Sequence, residues 1–189
     1  MAEWDLRAAL ADAESRMQRT VALFERELAG MRAGRAHPAL LDKVTVDYYG
    51  SPTPLAHLAQ VSVPEPRTLV VQPYDKSAVA SVEKGIQKAD LGVSIRVEGD
   101  VLRLAIPVLT EERRRDLVRQ VKRLLEDQKV AIRNVRREVL EQMKQAERTG
   151  SVSEDESRRG QDQLQKLTDR LIARLDELGL VKERELLQP

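Results

Sequence analysis

The sequence predicts an α+β fold, a three-helix bundle with an inserted small β/α/β sandwich domain joined by a two-stranded hinge. Three observations carry this. Every proline except Pro189 lies between residues 34 and 107. On either side of that stretch, apolar residues recur every three or four positions, as on one face of a helix. The first helical segment is separated in sequence from the other two. Three narrow apolar stripes bury one another most simply in one bundle. The bundle is therefore discontinuous (1–34 and 108–189) and the insert spans 35–107. A rival arrangement strings the helices out as an extended coiled coil.

The elements follow in order. Leu6, Leu10, Ala13, Met17, Thr20, Phe24, Leu28 and Met31 place one long helix in residues 1–33. Val44–Tyr48 alternates, Val61–Val63 is a short β-rich run, and Thr68–Val71 reads as a buried strand. Asp75 can cap a helix through about Ala89, with Gly92 stopping it near Leu91. Gly85 inside that helix costs ~1 kcal/mol relative to alanine. Val93–Val97 and Val101–Ile106 form a hairpin across the three residues Glu98-Gly99-Asp100. Thr110 stands at the N-cap of the second long helix, with Glu111 and Glu112 near the positive end of its dipole. Its stripe runs Leu117, Val121, Leu124, Gln128, Ala131, Val135, Val139. After a break at Thr149-Gly150-Ser151, Ser153 and Glu156 have capping-box spacing. The last helix carries Leu164, Leu167, Leu171, Leu175 and Leu178.

Composition narrows the function. Hydrophobic residues make up 41% and charged residues 33%, too apolar for a disordered chain. Aromatics are only 3%, so nucleic-acid contact would rely little on base stacking. There are no cysteines, which excludes disulfides, cysteine-zinc sites and thiol catalysis. No apolar run approaches the ~20 residues that span a bilayer, and the first residues lack a secretory pattern. These features point to a soluble, cytoplasmic protein. His37 and His57 have no metal-site spacing, and no phosphate-binding glycine motif occurs. The carboxylates of Glu154-Asp155-Glu156 sit where a helix start favours negative charge. Neither catalysis, a metal nor a cofactor is expected.

The informative feature is the second long helix. Between Arg113 and Arg137, ten basic residues face three acidic ones, a local net of +7, while the whole chain carries +1. At about 100° per residue, Arg115, Arg119, Lys122, Lys129, Arg133 and Arg136 fall opposite the apolar stripe. Aligned arginines offer planar, paired donors suited to phosphate oxygens. Charge runs are more often plain solvated faces, and both readings stand at this level.

Several blocks resemble a known family. Met31-Arg32-Ala33-Gly34-Arg35-Ala36-His37-Pro38-Ala39-Leu40-Leu41-Asp42 and Val46-Asp47-Tyr48-Tyr49-Gly50-Ser51-Pro52-Thr53-Pro54-Leu55 come first. Arg67-Thr68-Leu69, Pro73-Tyr74-Asp75 and Asp90-Leu91-Gly92 follow. Then come Pro107 to Arg114, Arg133-Asn134-Val135-Arg136-Arg137, Ser153-Glu154-Asp155 and Gln165 to Asp169. Collinear over nearly the whole chain, they resemble the bacterial ribosome recycling factor family. The resemblance implies a bundle and a smaller β/α/β domain joined at an angle by a hinge. It implies a non-enzymatic factor that, with elongation factor G and GTP, splits the post-termination ribosome into subunits and releases mRNA and tRNA. GTP hydrolysis would belong to the partner. The family's sensitive arginines map onto Arg32, Arg133 and Arg136.

The expected rRNA-binding set is Arg32, Arg115, Arg119, Lys122, Lys129, Arg133, Arg136 and Arg137, facing chiefly large-subunit rRNA. The expected hinge is Gly34, Arg35, Ala36, His37 and Pro38 with Ala105, Ile106 and Pro107, and the protein is expected to be a monomer. One segment departs from the family: after Gly92 the usual Leu-Asn-Pro is replaced by Val93-Ser94-Ile95. A helical RNA-binding adaptor and a coiled-coil oligomer are the competing readings. The glycine and prolines flanking the insert argue against a simple adaptor.

Overall fold

The computed structural model describes residues 4–31 and 34–188. In chain order the elements are α1 (Leu6–Ala29), β1 (Thr45–Tyr48), β2 (Ser51–Pro54), β3 (Ala59–Glu65), β4 (Thr68–Pro73), α2 (Val79–Lys88), β5 (Ser94–Glu98), β6 (Val101–Ala105), α3 (Glu111–Arg148) and α4 (Glu154–Leu187). Short 3-10 turns occupy Pro38–Leu41, Leu55–His57 and Lys76–Ala78. Packing divides the chain into two units, Met1–Met31 with Glu111–Pro189, and Arg32–Thr110.

The first unit is a bundle of α1, α3 and α4. The Asp5 carboxylate starts α1 by accepting the Arg7 N–H at 2.9 Å. Ala13, Met17, Val21, Phe24 and Leu28 then form its buried face. The capping box predicted at Ser153 and Glu156 is present in full at the start of α4. Leu164, Leu167, Leu171 and Leu175 are buried as the periodicity requires, while Leu178 is half-buried.

The α3 stripe differs from its sequence reading. Ile132, Met143 and Ala146 join the core, whereas Leu124, Gln128 and Ala131 are only half-buried. A helix packed against two neighbours buries a wider arc than a single three-four stripe describes. Val21 on α1 escaped the reading for the same reason.

The second unit packs α2 with two sheets, the hairpin β1–β2 and the antiparallel sheet of order β3-β4-β6-β5. Its core joins Val44 and Val46 to Val82 and Ile86 of α2, and these to Leu69, Val71, Leu102 and Leu104. Contact between α2 and β1 is close because residue 85 is glycine. A Cβ there would stand 2.9 Å from the Thr45 carbonyl oxygen and 3.0 Å from Val46 Cγ2. The propensity cost of Gly85 is thus offset by helix–strand packing.

Three local expectations change. β2 carries no strand signal, because Pro52 and Pro54 cannot donate to a ladder; it pairs with β1 in a two-stranded sheet, where proline is tolerated. Glu98 pairs with Val101, so the β5–β6 turn is the two residues Gly99-Asp100 rather than three. Gly99 has φ +66°, and glycine at the first central position is the type II′ requirement. Asp75 caps the 3-10 turn Lys76–Ala78, and α2 proper begins only at Val79.

Candidate nucleic-acid interface

α3 is 38 residues long and spans about 57 Å at 1.5 Å per residue. Its buried residues lie on one side, and the predicted basic residues fall into three environments. Lys122, Arg133 and Arg137 are exposed and have no ion-pair partner among the described residues. Arg123 shares this state, and Arg136 is half-buried, its stem flanking the stripe.

Arg115 and Arg119 are exposed but paired locally, Arg115 with Glu111 and Arg119 with Asp116. Exposed pairs of this kind are worth at most about 1 kcal/mol. A phosphate can therefore displace the carboxylate at little cost. Lys129 is placed differently from its sequence reading. Its side chain is only 15% exposed, and its ammonium meets Asp176 of α4 at 2.5 Å and Glu126 at 3.6 Å. It faces the α3–α4 seam rather than solvent. Arg32 lies outside the described residues.

Nearby acids do not cancel the free arginines. Glu138 accepts two hydrogen bonds from the Arg16 guanidinium, at 3.1 and 2.7 Å. Those bonds, with the adjacent positive charge, hold its carboxyl below the usual carboxylate range. Glu138 is thus engaged across the helix pair. Arg137 instead borders an open groove of about 990 Å³ that also contains Trp4, Glu141 and Gln145. The face as a whole offers cationic forks without base-stacking aromatics, and such a surface holds a phosphate backbone by charge and geometry.

The predicted hinge residues are built into the second unit. The Ala36 N–H donates to the Pro66 carbonyl at 2.7 Å, and the Ile106 N–H donates to the Arg67 carbonyl at 2.9 Å. Neighbouring carbonyls of the β3–β4 turn thus hold both chain crossings. Gly34 is buried at φ +72°, where a Cβ would come 3.3 Å from Leu109 Cγ. His37 caps the first 3-10 turn through Nδ1, which accepts the Ala39 N–H at 3.1 Å, and Pro38 opens that turn. Ala105 ends β6. Arg35 and Pro107 are exposed.

Other chemistry finds little support among the described residues. No group of three His, Cys, Asp or Glu side chains could hold a metal ion. No helix is long and apolar enough to cross a membrane. Sequence reasoning did miss one engaged side chain, Lys182, which occupies the α4 core stripe between Gly179 and Leu186. A lysine at apolar spacing was the available signal.

Comparison with known proteins agrees with this architecture. A family model described as ribosome recycling factor matches residues 24–187. The ribosome-recycling factor of Shouchella clausii is 53% identical over 178 residues, covering 94% of this chain and 96% of that protein. That of Symbiobacterium thermophilum is 52% identical over 177 residues, with coverages of 94% and 96%. A solution structure of a ribosome recycling factor superposes with a TM-score of 0.73 at 40% identity, covering 99% of both chains. A second similar structure comes from models of the T. thermophilus factor and E. coli elongation factor G bound to the E. coli post-termination complex. It has a TM-score of 0.62 at 46% identity and covers 98% of this chain and 100% of that one.

Proposed function

This chain belongs to the ribosome recycling factor family, and from that premise we propose that it binds the post-termination ribosome and, with elongation factor G and GTP, promotes its splitting into subunits with release of mRNA and tRNA. The observation that carries the reading is the α3 face, where Lys122, Arg133 and Arg137 stand exposed and unpaired beside half-buried Arg136. Its partner is large-subunit rRNA, engaged through phosphates. The solved relative described with elongation factor G on a post-termination complex supports the choice of partners. The factor acts as a cytoplasmic monomer without chemistry of its own, and GTP is hydrolysed by the elongation factor.

In this reading the bundle stays docked while the second unit moves. Both crossings are hydrogen-bonded to the Pro66-Arg67 turn, so Ala36, His37, Pro38, Ala105 and Ile106 travel with that unit. The flexing bonds then lie on the bundle side, before Gly34 and after Leu109.

Light scattering of post-termination ribosomes tests the reading. Scattering should fall when the protein, elongation factor G and GTP are added together, and not when any one is omitted. Arg133→Ala should weaken ribosome binding and lower the salt slope by about one unit, as for a lost phosphate contact. Its stability should stay within about 0.5 kcal/mol of wild type. Undiminished scattering with all components present would reject recycling, and salt-independent binding would reject the phosphate interface.

A further inference from the structure

A lysine in a core stripe needs a physical reason, because a buried ammonium is costly unless its protons find acceptors. Lys182 is such a residue. Its side chain is 10% exposed, on a face otherwise made of Leu175, Gly179 and Leu186. The ammonium donates to the Met31 carbonyl at 3.0 Å, with the Glu185 carboxylate 3.6 Å away. Met31 lies just past the Gly30 C-cap of α1, and its own N–H still donates to the Leu28 carbonyl at 3.1 Å. The lysine therefore holds the last peptide of the bundle before the chain leaves it, at the helix end where a cation is favoured.

We infer that Lys182 is a positioning residue that fixes the bundle end of the first chain crossing and so sets where the hinge begins. The far end is fixed independently, by Gly34 packed on Leu109 and by the Ala36–Pro66 hydrogen bond. Between the two anchors the sequence leaves only Arg32 and Ala33. A pivot of two residues restricts the directions in which the second unit can swing. Freeing the Met31 carbonyl lengthens the pivot back toward Gly30 and widens that range. A methionine or leucine at position 182 would fill the stripe without the burial cost, so the bundle alone gives no reason for a lysine there. The consequence for splitting rests on the recycling reading; the geometric assignment does not.

The test uses the full chain with labels on Gln87→Cys and Lys166→Cys, two exposed positions, one in each unit, in a protein with no native cysteine. Lys182→Met keeps length and apolar packing and removes the donor. Its interdomain distance distribution should broaden while the thermal melt stays cooperative. Lys182→Arg, which returns a cationic donor, should narrow the distribution again. At saturating ribosomes, splitting by Lys182→Met should slow about two- to tenfold, the range that one hydrogen bond supplies. The ribosome concentration giving half the maximal rate should hardly move. An unchanged distance distribution in Lys182→Met would overturn the assignment. So would loss of the cooperative melt, since the lysine would then hold the bundle rather than the crossing. The distance measurement needs no ribosome. If wild type fails to split ribosomes, the recycling reading falls while this result still decides the role of Lys182.

Discussion

Along the bundle, burial is spread over helices of 24, 38 and 34 residues, with buried side chains recurring every turn or so. In the inserted unit, twelve buried residues drawn from both sheets, α2 and the adjoining turns form one small cluster. The ionic pattern differs as well. The bundle ties its helices together with Arg16–Glu138, Arg170–Glu14, Arg174–Glu25 and Lys129–Asp176. Printed ion pairs within the insert are Lys76–Asp100, Arg96–Glu98 and Arg103–Glu98. One unit is therefore held by many repeated, individually weak contacts, and the other by a few positions where backbone meets backbone. Tolerance to substitution should follow that division. The chain carries its own reporters, because Trp4 lies in the bundle while Tyr48, Tyr49 and Tyr74 lie in the insert.

The strongest way to break the comparison is to remove one side of it. Replacing residues 36–107 with a short flexible linker should leave a protein that melts cooperatively by circular dichroism, since the three helical stripes still bury one another. A broad, non-cooperative melt would mean that the bundle depends on the insert.

A smaller probe is Gly85→Ala. Overpacking costs about 1–3 kcal/mol when neighbours must shift, and the improved helix propensity returns about 1 kcal/mol. The nearest neighbour is the Thr45 carbonyl, a backbone atom, which yields less easily than a side-chain tip. Denaturant melts should show the tyrosine transition moved to lower denaturant with the Trp4 transition in place. Coincident movement of both would show that the two units unfold as one.

The mildest probe is at the start of α4. Ser153→Ala should cost about 1 kcal/mol, as for a lost N-cap, and Trp4 should report it. The variant should also be less acid-sensitive. Hydrogen bonds from the Ser153 backbone N–H and hydroxyl hold the Glu156 carboxyl below its usual range. A carboxyl lowered on folding contributes stability that is present above its unfolded pKa and is lost as pH falls through the folded value. Part of that loss disappears with the hydroxyl. An equal acid slope in Ser153→Ala and wild type would remove the hydroxyl from the account.

What could be read from sequence follows the range of the interactions. Helix periodicity, the Ser153–Glu156 box, the Asp75 cap and the proline-bounded insert are local, and each appears as read. The basic face of α3 was legible for the same reason, since a helix places its own residues without help from elsewhere.

Other features depended on who sits opposite. Ser51–Pro54 is a strand only because Thr45–Tyr48 pairs with it. Ile132 is buried because α3 has two neighbours, and Lys129 leaves the solvent face because Asp176 of α4 lies within reach. Lys182 is the sharpest case. Its spacing marks it as a stripe residue, but its partner is a backbone carbonyl 151 positions away, at the end of another helix. By itself the sequence determined the element types, the division by texture and the charge of each helix face, because nearest-neighbour spacing encodes them. Only the tertiary structure decided which of those charges remain free and which are spent on holding the chain in place, because that depends on which residues distant in sequence it brings within hydrogen-bond range.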